Sequence, residues 1–422
     1  MPRQALEALQ LERLRWVVDY CYKNNPFYYK RLSEAKVTAS RIKRLSDVQY
    51  IPFTTKSDIR DNYPFGMFSV PQKKILRLHA SSGTTGKPTV VGYTRSDLDN
   101  WSDCVARFCV SAGVTDEDVA QISFGYGMFT GALGLHYGLE KMGCTVIPVS
   151  SGNTEKQIMF IKDLNPTVLV STPSYAMYLS EALQQLEAPP EKLQLRIGLF
   201  GSEGCTPALR DKIEASLGVF ATDNYGISEL IGPGVSGECR QRNGLHIAED
   251  HFLPEIIDSA TGAVKPLGET GELVVTTLTK EGIPLLRYRT GDITRLDAAP
   301  CPCGRTHMRM DKVKGRSDDM IKVRGVKIFP SQIESVLLAT PGIGSSYELV
   351  LTRQNYTDQL KIRVETVTEL ITKEETQALR GRLTDKLKTI LGITTELELV
   401  KPGMLKRFEG KAKRVVDLRS EA

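Results

Sequence analysis

No apolar run in this sequence reaches the roughly 18 residues that a membrane-crossing helix needs, so a helical span is not expected. Internal repeats and low-complexity tracts are also missing, which argues against a repeat array or a disordered chain. Charge of one sign is scarce: 55 Lys and Arg against 50 Asp and Glu leave +5, little reason to invoke nucleic acid. The eight cysteines, at 21, 104, 109, 144, 205, 239, 301 and 303, sit in a large chain with no apolar signal core. They are expected to be reduced, and a disulfide framework is not expected. Residues 1–15 mix Arg, Gln and Glu with Leu and predict an amphipathic helix of a cytoplasmic protein.

What is present is an ordinary globular composition, 41% hydrophobic and 25% charged over 422 residues, enough for two or three domains. The most informative stretch is Ser81-Ser82-Gly83-Thr84-Thr85-Gly86-Lys87-Pro88. Small hydroxyl residues and flexible glycines can turn N–H and O–H groups toward an anion, and a polyphosphate is the natural guest. The spacing excludes the common P-loop, which has four residues between its first glycine and Gly-Lys; here Thr84 and Thr85 alone intervene. The other reading of this segment is a plain surface turn.

Between about 95 and 235, strand-like runs (119–123, 145–149, 167–171, 195–200) alternate with helical patterns. That alternation predicts a parallel, doubly wound sheet with ligands at the carboxyl ends of its strands, where Gly201-Ser202-Glu203 and Tyr225-Gly226 fall. From 254 to 296 short β-rich pieces separated by turns suggest a meander or small barrel. Beyond 315, capping boxes are read at Ser331/Glu334 and Thr372/Glu375, the second opening a helix with Leu379, Leu383, Leu387, Ile390 and Leu391 on one face. The expected architecture is α/β: a large N-terminal domain (1–317) with doubly wound sheets and a β-rich barrel-like subdomain (about 236–314), then a small mobile α+β domain (318–422).

Three further segments carry chemistry. Asn224-Tyr225-Gly226-Ile227-Ser228-Glu229 offers an aromatic to stack on a base and a carboxylate for a hard cation such as Mg²⁺. Tyr288-Arg289-Thr290-Gly291-Asp292, read as a strand end, offers a carboxylate for two ribose hydroxyls. Gly315-Arg316-Ser317-Asp318-Asp319 sits where a hinge between domains is expected. Each has a plain structural reading as a turn or linker. Together with the 81–88 loop and Gly410-Lys411-Ala412-Lys413-Arg414, however, they stand in the order found in the adenylate-forming superfamily. Within it the chain most resembles the phenylacetate–CoA ligase family. Asn25-Pro26-Phe27-Tyr28, Ile51-Pro52-Phe53-Thr54-Thr55-Lys56, Tyr126-Gly127-Met128-Phe129-Thr130-Gly131, His136-Tyr137-Gly138, Gly143-Cys144-Thr145-Val146-Ile147-Pro148 and Asp250-His251-Phe252 carry that likeness over nearly the full length.

The resemblance implies an acid–CoA ligase that makes an acyl-adenylate from ATP, releases pyrophosphate, and passes the acyl group to CoA. It assigns the phosphates to Ser81, Ser82, Gly83, Thr84, Thr85, Gly86 and Lys87. It puts Tyr225 against adenine, with Gly201, Ser202, Glu203, Asn224, Gly226 and Ser228 nearby. Asp292 would take the ribose, Arg316 the ribose or phosphate, and Glu229 Mg²⁺. Lys411 would be the catalytic cation and Asp318 the hinge. The acyl pocket would run along Phe124, Tyr126, Phe129 and Gly131, with phenylacetate or a related aryl acid as substrate; the family often has Tyr where Phe124 stands. No general base is needed, since a carboxylate is already a nucleophile at neutral pH. The basic excess of residues 401–419 suits polyanions such as CoA and ATP. A homodimer is the family expectation. The alternatives are transfer to a non-CoA acceptor, or a non-catalytic nucleotide- or zinc-binding scaffold.

Cys239, His246, Cys301 and Cys303 supply the thiol–imidazole mix preferred by structural Zn²⁺, with His251 or His307 as possible replacements for His246; the other reading is free cysteines.

Overall fold

The computed structural model describes residues 1–81, 88–185, 190–316, 320–324, 326–354, 357–369, 372–408 and 412–419. The segments 82–87 and 409–411 and the expected hinge Asp318 lie outside the described residues.

The helix Arg95–Ala112 begins the α/β pattern. Thr94 Oγ1 accepts from Asp97 N, the Asp97 carboxylate accepts from Thr94 N, and Gly113 at φ 99° closes the other end. Its apolar face, including Trp101, Val105 and Phe108, is buried in the main core. Five parallel strands lie side by side in the order Thr145–Ile147, Val119–Ile122, Val168–Ser171, Ile197–Phe200, Phe220–Tyr225. Helices Thr154–Asp163, Pro173–Gln185 and Pro207–Leu217 contribute to a second core. Runs such as Val168–Ser171 are buried at every position, as strands covered on both faces require.

At its far side the parallel half becomes antiparallel. Tyr225 pairs with Ser236, and the sheet continues through Ser236–Glu238, Leu245–Ile247, Arg309–Met310, Tyr288–Asp297, Thr270–Thr277 and Phe252–Ile257. The β-rich segment read as barrel-like is thus continuous with the parallel strands in one twelve-stranded sheet. One local expectation is corrected: 288–292 opens the strand Tyr288–Asp297 instead of ending one. Gly291 at φ 78° makes an irregularity that the strand runs through, and Thr290 Oγ1 accepts from Asp292 N to hold it.

The C-terminal region forms its own core. Strands are ordered Glu396–Val400, Thr357–Thr366, Ile343–Gln354, Val415–Asp417, and helices Pro330–Leu338 and Lys373–Leu391 pack on them through Ile333, Leu337, Leu383 and Leu387. The Thr372/Glu375 capping box forms as expected. The Ser331/Glu334 box does not. Pro330 takes the first helical position, Gln332 Oε1 accepts from Phe329 N, and Ser331 Oγ donates instead to Lys314 O. Glu334 is buried. Among the described residues no helix is long and apolar enough to cross a membrane.

Candidate active site

Three side chains that lie far apart in the sequence meet at the seam between the parallel and antiparallel halves. Tyr225, the last residue of its strand, donates its hydroxyl to Asp292 Oδ2 at 2.5 Å. Asp292 Oδ1 accepts from Arg316 Nη1 at 2.8 Å, and the two residues also face each other in strand register. Burial, reinforced by the neighbouring Asp292 charge, pushes the Tyr225 phenol well above its ordinary range, so it remains a donor. The residues expected at adenine, ribose and phosphate are therefore one connected group. Charge-assisted hydrogen bonds of this kind are each worth about 1.5–3 kcal/mol.

Backbone crowding fixes the loops around this group. A Cβ on Gly226 would lie 1.6 Å from Gly232 O, and one on Gly201 would lie 2.9 Å from the Asn224 amide. Both positions therefore require glycine. Asn224 Nδ2 donates to Phe200 O at 2.7 Å, tying the two strand ends together. Ser202 takes φ 74° and turns the chain toward Glu203.

Glu229 is buried, with its carboxylate 3.6 Å from Lys56 Nζ. Its turn is held from beneath by Lys280, whose ammonium donates to Glu229 O at 3.1 Å and also to Leu230 O. Burial lowers the Lys280 ammonium to about 8, and it lies 4.7 Å from the centre of the Tyr93 ring. Ser228 Oγ bonds Thr130 Oγ1, linking this turn to the segment that precedes the helix Gly131–Met142. Lys280 was not legible in the sequence, since nothing near it marks a site. Lys56 stood in the 51–56 motif without an assigned role.

The 81–88 loop joins two paired strands, Arg77–Ser81 and Thr89–Tyr93. At its mouth the hydroxyl oxygens of Ser81 and Thr89 are buried and have no hydrogen-bond partner among the described residues. Orphaned donors of this kind fit an anion held above the hairpin.

Of the residues expected at the acyl pocket, Phe124 is half-buried, 3.8 Å from where a Cβ on Gly131 would stand. Tyr126 turns toward the helix Gly131–Met142 and bonds His136 Nδ1 at 3.0 Å; His136 Nε2 pairs with Glu140. Phe129 is exposed.

Glu203 has partners other than those expected beside adenine. Oε1 accepts from Ser174 N at 2.7 Å, at the start of the helix Pro173–Gln185, and Oε2 accepts from Ala412 N at 3.1 Å. Ala412 directly follows Lys411, so one carboxylate joins the large domain to the lysine-bearing segment. Arg414 adds a bond to Ser174 Oγ and packs over Tyr347 at 4.5 Å. Facing Arg414, Glu203 and Tyr347 is Glu334, whose carboxyl burial pushes up to about 7. Several of the basic residues of 401–419 are engaged in ion pairs within the chain. Arg407 pairs with Glu365, Arg419 with Asp417 and Asp358, and Lys401 with Glu369.

Cys239, His246, Cys301 and Cys303 are brought together. His251 is engaged elsewhere, with Asp250 and Thr279, and His307 offers its main-chain oxygen to His246.

A large nucleotide-binding α/β domain carrying a small domain over its strand ends defines the class of AMP-forming, adenylating enzymes. The family model for AMP-binding enzymes matches residues 30–279, and that for the AMP-binding enzyme C-terminal domain matches 325–419. The chain is 48% identical to a phenylacetate-coenzyme A ligase of Thermus thermophilus, covering 99% of this chain and 98% of that one. It is 46% identical to another from Escherichia coli, over 98% of this chain and 95% of that one. The chain belongs to the phenylacetate–CoA ligase family, and it is an AMP-forming acid–CoA ligase.

Among solved structures, 2-hydroxyisobutyryl-CoA ligase in the postadenylation state, with an acyl-AMP bound, superposes with TM-score 0.94 at 28% identity, covering all of this chain and 91% of the other. The same relative in its thioesterification state gives 0.73, covering 99% and 90%. The arrangement of the two domains here is thus nearer to the first of these two structures than to the second.

Proposed function

We propose that the acid is phenylacetate or a close arylalkyl relative, activated at the seam between the two domains. The observation that carries the site reading is the Tyr225–Asp292–Arg316 group. It gathers an aromatic face, a carboxylate and a guanidinium where a nucleoside monophosphate needs a base support, a diol acceptor and a cation. Phe124 over Gly131 supports an aromatic ring as the acid's tail. The family relatives named for phenylacetate point the same way.

In the first half-reaction a carboxylate oxygen attacks the α-phosphorus of ATP; the P–O bond to pyrophosphate breaks and the acyl-adenylate forms. Ser81 and the loop after it would hold the β- and γ-phosphates. Lys411 would stabilise the charge developing on the α-phosphoryl group, a task that a positioned cation performs well once water is excluded. Glu203, by holding Ala412, would be its positioning residue. The buried Glu229 carboxylate suits a hard cation, and Lys56 beside it already balances its charge; Mg²⁺ there would supply further neutralisation of the phosphates. In the second half-reaction the CoA sulfur attacks the acyl carbonyl and AMP leaves. A rotation about Asp318, at the boundary between domains 1–317 and 318–422, would withdraw Lys411 and admit the thiol. The enzyme would work in the cytoplasm, where ATP and CoA are supplied, as the homodimer that the family resemblance suggests.

Pyrophosphate release across a panel of aromatic and aliphatic acids, with and without CoA, tests acid and acceptor together. Phenylacetate should give the highest kcat/KM, with CoA-dependent turnover. Preference for a short aliphatic acid would overturn the substrate reading. In Lys411→Ala, adenylate formation should fall by about 10²–10³-fold or more while thioester formation from synthetic acyl-AMP is largely spared.

A further inference from the structure

We infer that Cys239, His246, Cys301 and Cys303 form a closed, structural Zn²⁺ site that fastens the seam on which the nucleotide group is built. The four donor atoms lie within 4.8 Å of one another. Cys239 Sγ and Cys301 Sγ are 3.8 Å apart, and Cys303 Sγ is 3.3 Å from His246 Nε2. Tetrahedral zinc with bonds of about 2.3 Å to sulfur and 2.0–2.1 Å to nitrogen sets donor separations of roughly 3.5–3.8 Å. A disulfide would need its sulfurs at about 2.05 Å. The 3.8 and 3.3 Å separations lie close to the edges of such a tetrahedron, and 3.8 Å between the Cys239 and Cys301 sulfurs is far from a disulfide bond.

The surroundings are those of a metal site. His246 Nδ1 lies 3.2 Å from His307 O; a carbonyl only accepts, so the proton is on Nδ1 and the Nε2 lone pair faces the thiols. Gly304, at φ 80°, makes the tight turn that returns its N–H to Cys301 O. Three soft thiolates and one imidazole in tetrahedral array select zinc over the hard cations of the reaction. All four positions are filled by protein, leaving none for substrate, so the role is structural.

The ligands come from two places far apart in the chain order, which the pairing of Leu245–Ile247 with Arg309–Met310 sets side by side. Cys239 and His246 belong to the hairpin of Ser236–Glu238 and Leu245–Ile247, and Cys301 and Cys303 to the loop between Tyr288–Asp297 and Arg309–Met310. The hairpin pairs directly with Tyr225, and the strand before the loop carries Asp292. The metal would thus clamp the two halves whose alignment sets the Tyr225–Asp292 contact. This goes beyond the acid and acceptor assigned above and does not depend on them.

The test is metal content of the full-length protein purified without chelator, by plasma mass spectrometry, with release followed on thiol modification. About one equivalent of zinc is expected, falling below a tenth in Cys303→Ser and in His246→Ala. His246→Cys, which restores a fourth soft ligand, should retain the metal. If Cys303→Ser does not fold, release of zinc from the native enzyme by a mercurial, with reversal by thiol, gives the same reading. Removal should lower Tm and raise the KM for ATP more than it lowers kcat. Native protein with less than a tenth of an equivalent, and no uptake from added Zn²⁺ under reducing conditions, would overturn the proposal. So would zinc retained in both Cys303→Ser and His246→Ala.

Discussion

The nucleotide group and the contact between the two domains are both polar, yet they are built differently. Tyr225, Asp292 and Arg316 are all carried by strands of one continuous sheet, with Asp292 and Arg316 paired in register. Among the described residues the domain contact includes Glu203 to Ala412, Arg414 to Ser174, Ser345 to Glu181, Lys212 to Ile343 O, Ser331 to Lys314 O and the Arg407–Glu181 ion pair. On the proposed reading, one region would grip and the other would let go. A ligase that performs two half-reactions on one adenylate needs both, because the adenylate must stay in place while the residues around it are exchanged.

The largest effect should follow from breaking the grip. Asp292→Ala leaves the Tyr225 hydroxyl and the Arg316 guanidinium without their shared acceptor. A loss of about 10²-fold or more in kcat/KM is expected in both half-reactions, for ATP in the first and for acyl-AMP in the second, in line with 1.5–3 kcal/mol for each charge-assisted bond lost. Assays started from ATP and from synthetic acyl-AMP check it. Loss confined to one half-reaction would contradict a grip that serves both.

A smaller and selective effect is expected at the releasable contact. Glu203→Ala frees Ser174 N and Ala412 N and should slow adenylation about 10-fold, with thioester formation from synthetic acyl-AMP nearly unchanged. The split between half-reactions separates positioning from general destabilisation, which would lower both and reduce Tm.

The smallest effect concerns pH. Burial raises the Glu334 carboxyl from an unfolded value of 4.5 to about 7, so the packed state binds its proton more tightly than the unfolded state. That contribution is fully present below about pH 4.5 and is lost as pH rises through about 7. Arg414 opposes the shift, while Glu203 and Tyr347 also face the group. Glu334→Gln should flatten the decline in Tm between pH 5 and 8 by a few degrees. An unchanged slope would show that Glu334 does not titrate in the packed state.

Sequence reasoning reached the large scale because its signals are periodic and local. Alternating strands and helices announced the parallel sheet, and the Thr372/Glu375 box announced its helix, because both depend on neighbours a few residues away. It misjudged Ser331, where Pro330 advanced the helix start by two positions, and the strand end at Asp292, where Gly291 allowed an irregularity instead of a stop. It also missed Lys280, because a buried lysine beneath a functional turn is indistinguishable in sequence from a surface lysine after a strand.

By itself, then, the sequence determined the chemical inventory: the hydroxyl- and glycine-rich loop, the acidic and aromatic nucleotide residues, the lysine near the C-terminus, and three thiols with an imidazole. Only the tertiary structure decided which of them meet. Tyr225 finds Asp292 across 67 positions, and Glu203 finds Ala412 across 209. The physical reason is that hydrogen bonds and metal coordination act over about 3 Å, and long-range strand pairing and domain packing alone bring such distant residues within that reach.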